Sequence, residues 1–205
     1  MRLTTGTLVE TQRRLNFKNM RNLIGSQIIL SKEEQEICEH IGIQRYNINR
    51  EKGIIDKKIG EEDNHFMDIN GFGGEFAFCK LFNVMPDFLV QVTQTNKNDY
   101  DALLFNCIKV DVKTTDVLSG RLLAAPWKVD EVDCYALIVG KMPNYIFKGF
   151  MLREDLKRED KLKSLGYRKG YVAEQSELKE LHDLFYLDQI VNTYPENSKI
   201  PVFEI

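Results

Sequence analysis

The chain has 205 residues, enough for one domain or one domain with an elaborated end. An apolar fraction of 43% suits a packed core, and no apolar run approaches the roughly 18 residues of a membrane helix. A net charge of −3 argues against a protein that coats nucleic acid by bulk electrostatics, so any basic contact surface must be local.

Residues 1–30 carry the least pattern. Thr4-Thr5-Gly6-Thr7-Leu8-Val9 has strand-like composition, Arg13, Arg14, Lys18 and Arg21 form a basic cluster, and Gln27-Ile28-Ile29-Leu30 is a short apolar run. Ser31-Lys32-Glu33-Glu34 reads as a capping box, in which the serine accepts from a first-turn N–H and the glutamate reaches back. A helix is expected from there to about residue 50, with room for a break at Gly42. His40 on it reads as a packed or surface histidine. Residues 51–63 are charged and read as a loop.

A second, central helix is expected over 64–83. Phe66, Ile69, Phe72, Phe76, Cys79, Leu81 and Phe82 give it apolar residues around much of its circumference, which suits burial against a sheet. Gly71, Gly73 and Gly74 each cost about 1 kcal/mol there relative to alanine, and close approach to another backbone would offset that. Glu75 falls at the edge of the sheet-facing side. Phe88-Leu89-Val90-Gln91-Val92 is a candidate extra strand, and Thr93 to Asn98 is turn-like.

Two short apolar strands follow, joined near Asn106. Asp99 and Asp101 open the first, and Asp111-Val112-Lys113 lies inside the second. Side chains alternate faces along a strand, so Asp111 and Lys113 share one side while Val110 and Val112 point into a core. Charge among strand apolars is costly without a partner. Two carboxylates and a lysine on one side of a hairpin make a divalent-cation site with an ammonium beside it, and hard oxygen ligands suit Mg²⁺ or Mn²⁺. A two-residue turn would send Asp101 and Asp111 to opposite faces. The site therefore requires a three-residue turn, Phe105 to Cys107, or a bulge beside Asp101. Asp99 shares the face of Asp101 and is the alternative ligand.

Beyond the lysine, Thr114 and Thr115 are candidates to bond phosphate, or are simply strand residues. Arg121 and Lys128 are candidate phosphate contacts, and Trp127 is equally a core residue. Residues 133–140 read as the clearest strand, apolar enough to be covered on both faces. Met142-Pro143-Asn144 turns the chain into another strand over 145–152. A basic segment follows, with Lys157, Arg158, Lys161, Lys163, Arg168 and Lys169, either a solvated face or a contact surface. Ser176 is expected to cap a last helix carrying Leu178, Leu181, Leu184, Phe185 and Ile190. Cys38, Cys79, Cys107 and Cys134 include no C-x-x-C pair, and the N-terminus lacks the apolar stretch of a secretory signal. They read as reduced thiols of an intracellular, cytoplasmic protein.

Asp101 followed by Asp111-Val112-Lys113 resembles the bipartite signature of the PD-(D/E)XK nuclease superfamily, although Tyr100 stands where that name has proline. Gly73-Gly74-Glu75-Phe76-Ala77 resembles the family's core helix, whose glutamate joins the metal site. The order of motifs through Gly149-Phe150 is similar to a phage and prokaryotic group of that superfamily. The resemblance implies a restriction-endonuclease-like α/β fold, with a mixed central sheet of about four or five strands flanked by helices. The core would span about 64–152 within a single domain, with a helical N-terminal extension, 1–63, and a helical C-terminal extension, 153–205. It implies Mg²⁺-dependent hydrolysis of DNA, with Asp101, Asp111, Glu75 and the Val112 carbonyl around the metal and Lys113 on the attacking water. A homodimer would serve if both strands are cut together. The alternative is a non-catalytic nucleic-acid-binding or protein-interaction module on the same fold.

Overall fold

The computed structural model describes residues 22–51, 64–90, 100–126, 131–166 and 168–185. The early strand-like stretch, the first basic cluster, Asp99, Trp127, Lys128, Ile190 and the tail lie outside these residues.

The chain opens with β1 (Gln27–Ile29) and two long helices, α1 (Lys32–Glu51) and α2 (Asn64–Phe82). The capping box forms as expected. Glu34 N–H donates to Ser31 Oγ at 3.3 Å, and Ser31 N–H donates to Glu34 Oε2 at 2.7 Å. Helix α1 runs unbroken through Gly42, because the glycine serves packing. A Cβ there would lie 2.6 Å from Ile69 Cα on α2. The hairpin is β2 (Ala102–Leu104) and β3 (Ile108–Thr115), followed by β4 (Leu122–Ala124), β5 (Cys134–Lys141) and β6 (Asn144–Leu152).

Five strands form a mixed α/β central sheet in the order β1-β6-β5-β3-β2, with β3 and β5 parallel and the other pairs antiparallel. Helix α2 lies on one face. Its Phe72, Phe78 and Cys79 join Val110, Val112, Ala136, Ile138, Phe147 and Phe150 in one buried cluster. Two of the α2 glycines lie close against the sheet, but what they approach is side chains and not the backbone expected. A Cβ on Gly73 would meet the Tyr145 hydroxyl at 2.2 Å, and one on Gly74 would meet Thr114 Oγ1 at 2.0 Å. Six consecutive residues of β5, Cys134 to Val139, are buried, as a strand covered on both faces requires.

The second face of the sheet carries a smaller sheet, with Leu156 of a one-turn helix packed into the same core. A small sheet, β4-β8-β7, adds β7 (Leu162–Leu165) and β8 (Arg168–Ala173) to β4. Leu122, Ala124 and Ala173 from it close a second core over Tyr135, Leu137 and Val139. The C-terminal addition is therefore only partly helical among the described residues. It holds α3 (Arg153–Leu156), two 3₁₀ turns and α4 (Leu181–Leu184). Ser176 sits inside the 3₁₀ turn Gln175–Glu177, which Glu174 and Glu177 cap reciprocally, and heads no long helix. The physical reason is a pair of backbone bonds between Phe150 and Lys179, which draw 178–180 alongside β6. Phe88 to Val90 form no regular element.

Candidate active site

The hairpin register fixes the site. Ala102 faces Val110, Leu103 faces Lys109 and Leu104 faces Ile108, which leaves Phe105, Asn106 and Cys107 as a three-residue turn. Phe105 and Asn106 take left-handed φ of 50° and 57° to close it. Asp101 stands just before the ladder. Its N–H donates to the Val110 carbonyl at 2.9 Å. The three-residue turn, one of the two devices that would keep Asp101 beside Asp111, is thus present. The Asp101 carboxylate turns onto β3, where Oδ2 accepts the Val112 N–H at 2.7 Å. A strand residue's carbonyl leaves on the same edge as its N–H, so the Val112 carbonyl opens toward that edge too.

Asp111 lies in the middle of β3 with its side chain only 2% exposed, ion-paired to Lys113 Nζ. Lys113 is 31% exposed, and its ammonium lies 6.0 Å above the Tyr135 ring centroid. Asp111, Lys113 and Tyr135 share a face by the parallel β3–β5 register. Glu75 comes from α2, directly after the glycine seated on Thr114. Its carboxylate accepts a bond at 2.9 Å from Arg45 of α1, and the side chain is 19% exposed.

The electrostatics tie these groups into one cluster. Burial pushes the Asp101 carboxyl well above the ordinary carboxylate range. The charges of Glu75 and Asp111 push it further, while Lys113 and the Val112 N–H pull it back. Burial raises Glu75 as well; Arg45 opposes this by charge and hydrogen bond, and Asp111 and Lys113 act on it from β3.

The chain belongs to a family of unknown function, DUF5843. The match covers residues 20–146, more than half of the chain, and takes in Arg45, Glu75, Asp101, Asp111 and Lys113. No curated protein and no solved structure is significantly similar to this DUF5843 chain.

Carboxylates in a nearly buried strand edge fit a hard divalent cation by ligand type. Their oxygens do not point at a common centre. Among the described residues, no group of three His, Cys, Asp or Glu side chains stands in a ligating arrangement. Each acid is turned instead to a nitrogen: Glu75 to Arg45, Asp101 to Val112, Asp111 to Lys113.

The outer candidates are engaged locally. Thr114 Oγ1 donates to the Gly71 carbonyl at 3.5 Å under α2, and Thr115 Oγ1 accepts the Val117 N–H at 3.3 Å. Arg121 is exposed and pairs with Glu174 at 3.6 Å. In the basic segment, Arg158 pairs with Asp160 and Lys161 with Glu177, while Lys163 and Lys169 lie exposed on the β7–β8 hairpin. His40 is exposed, its Nε2 2.8 Å from the Gln44 amide. Cys38, Cys79, Cys107 and Cys134 are free thiols. No helix among the described residues is long and apolar enough to cross a membrane.

Arg45 is the site residue that the sequence pattern did not suggest. Nothing in helical spacing links it to Glu75, thirty positions away. The available signal was indirect: a buried glutamate needs a cation, and α1 carries arginines.

Proposed function

We propose that the chain hydrolyses phosphodiester bonds in DNA with a bound divalent cation, Mg²⁺ or Mn²⁺, as the resemblance to PD-(D/E)XK nucleases implies. One observation carries the reading. Three carboxylates, Glu75 from α2 and Asp101 and Asp111 from the hairpin, are linked by charge, and Asp111 is ion-paired to Lys113. Glu75, Asp101, Asp111 and the Val112 carbonyl would hold the cation. When bound, the cation stabilises charge developing on the phosphate and lowers the pKa of attacking water. Lys113 donates to that water and holds it against the phosphorus. The ion pair with Asp111 keeps the ammonium in place, and Tyr135 beneath it limits its movement. A homodimer would place two such sites on the two strands of a duplex, and free thiols are in keeping with an intracellular, cytoplasmic setting.

The second reading is a non-catalytic nucleic-acid-binding or protein-interaction module. The nitrogen partner already held by each carboxylate favours it. Cleavage assays separate the two, using duplex, single-stranded, flapped and branched DNA, and RNA, with Mg²⁺ or Mn²⁺. Wild type should cut at least one DNA substrate, and Lys113→Ala should cut none. An inert wild type on all substrates refutes the nuclease reading. Cutting of RNA alone would move the substrate class.

A further inference from the structure

Arg45 makes more contacts than an ordinary helix-surface arginine. Its Nη1 donates to Glu75 Oε2 at 2.9 Å, its Nη2 donates to the Asp87 carbonyl at 2.8 Å, and its guanidinium carbon lies 4.5 Å over the Phe72 ring. The side chain is 24% exposed. A planar fork held at two nitrogens and one face has little freedom left. The helix packing that delivers it is specific. Gly42 lets α1 sit directly on Ile69, and Arg45 is three residues further along α1. The loop after α2 contributes the Asp87 carbonyl, so the guanidinium joins α1, α2 and that loop at one point.

The same contact has a consequence for the acids. Glu75 is the charged group that acts most strongly on Asp101, and Arg45 is the cation that acts most strongly on Glu75. The bond to Oε2 restrains the Glu75 carboxylate. Groups that hydrogen-bond a metal-ligating side chain orient it, and their loss typically costs about 10–100-fold in affinity or activity.

We infer that Arg45 is a positioning residue for the proposed cation site, fixing the Glu75 carboxylate in one orientation beside Asp101 and Asp111. This rests on the nuclease reading above. Arg45 touches neither cation nor phosphate; it acts through Glu75.

The test is a double-mutant cycle on the full chain, read in two ways. Mn²⁺ dissociation constants come from calorimetry; kcat and KM come from cleavage of whichever DNA substrate wild type cuts. The variants are Arg45→Met, Arg45→Lys, Glu75→Gln and Glu75→Gln with Arg45→Met. Arg45→Met should weaken Mn²⁺ about 10–100-fold and lower kcat, with KM for DNA within about 2-fold. In the Glu75→Gln background the same change should cost less than about 2-fold, because a partner that acts through Glu75 has nothing left to position. Arg45→Lys should recover part of the loss, since it restores the charge and not the fork. If Arg45→Met fails to fold, Arg45→Lys, made also together with Glu75→Gln, carries the comparison in both Glu75 backgrounds. Equal losses in the two backgrounds would overturn the inference, as would a loss confined to KM. A wild type that binds Mn²⁺ through Asp111, with Arg45 variants that bind it equally well, overturns the inference and spares the nuclease reading. A wild type that binds no Mn²⁺ overturns both.

Discussion

Two alanine substitutions on one helix should move stability in opposite directions. Gly71 and Gly74 both lie inside α2, and replacing a mid-helix glycine by alanine ordinarily gains about 1 kcal/mol. At Gly71 nothing lies within 4 Å of the added methyl, so Gly71→Ala should keep that gain. At Gly74 the methyl would fall 2.0 Å from Thr114 Oγ1, 2.6 Å from its Cγ2 and 2.8 Å from its Cβ. Rotating the threonine moves the first two atoms and leaves the third, which is fixed to β3. The helix must therefore lift from the sheet, and overpacking of this kind costs about 1–3 kcal/mol. Because the propensity gain is common to both variants, their difference isolates the clash. For a chain of this size it corresponds to melting temperatures roughly 2–12 °C apart, with Gly71→Ala the higher. Thermal unfolding followed by circular dichroism reads it directly. Since Glu75 is the next residue, Gly74→Ala should also depress any cation-dependent activity more than Gly71→Ala does. Equal stabilisation by both changes would mean that α2 is not seated on Thr114, and the placement of Glu75 would lose its basis.

The other predictions concern the site. Lys113→Met should reduce cleavage by about 100-fold or more while the protein still binds DNA in a gel-shift assay; cleavage at the wild-type rate refutes the role given to the ammonium. Asp101 and Glu75 have carboxyls raised by burial in the folded chain, so the folded state holds more protons than the unfolded one above the ordinary carboxylate range. Metal-free stability should accordingly fall as pH rises from about 4 through the raised values, and Asp101→Asn should flatten that fall; a wild-type curve that rises over the same window counts against it. Saturating Mn²⁺, at about 100 times its Kd, should stabilise wild type by about 2.7 kcal/mol and leave Asp111→Asn unmoved in a thermal-shift assay; a matching shift in the variant would place the metal elsewhere.

Local physics made much of this architecture readable from the residues. Ser31 and Glu34 announce a helix start because the capping box needs only positions three apart. The face alternation of Asp111 and Lys113, together with the need to keep Asp101 beside them, calls for a turn of three residues or a bulge beside Asp101. Phe105, Asn106 and Cys107 form the turn. Long-range partners were harder to read. Strand β4 pairs with β8 about fifty residues later, and β7 is a polar Leu-Lys-Ser-Leu that alternation cannot separate from a solvated loop. The spacing of Leu178 and Leu181 suits a long helix, but backbone bonds between Phe150 and Lys179 hold the chain between them extended. Alternation alone leaves Thr114 and Thr115 as phosphate contacts or plain strand residues; in the fold Thr114 Oγ1 donates to the Gly71 carbonyl and Thr115 Oγ1 accepts the Val117 N–H.

Whether the cluster is a cation site or a self-satisfied knot of charge turns on its balance. Glu75, Asp101 and Asp111 bring three negative charges when ionised, and Arg45 and Lys113 bring two positive ones, which leaves one negative charge in excess. A knot selected for stability has no reason to keep that excess, since apolar residues of similar volume are often as good as a fully paired buried set. The excess falls on Asp101, whose carboxylate is repelled by two other acids and offset by the Lys113 charge and the Val112 N–H. Such a group either takes up a proton or meets a further cation. A divalent ion at the open edge of β3 would relieve Asp101 first. Metal added at a pH where the raised Asp101 carboxyl is protonated should therefore release a proton, measurable as buffer-dependent heat in calorimetry, and Asp101→Asn should abolish that release. Binding of Mn²⁺ with no proton release in any buffer would mean that the acids are already balanced by their protein partners.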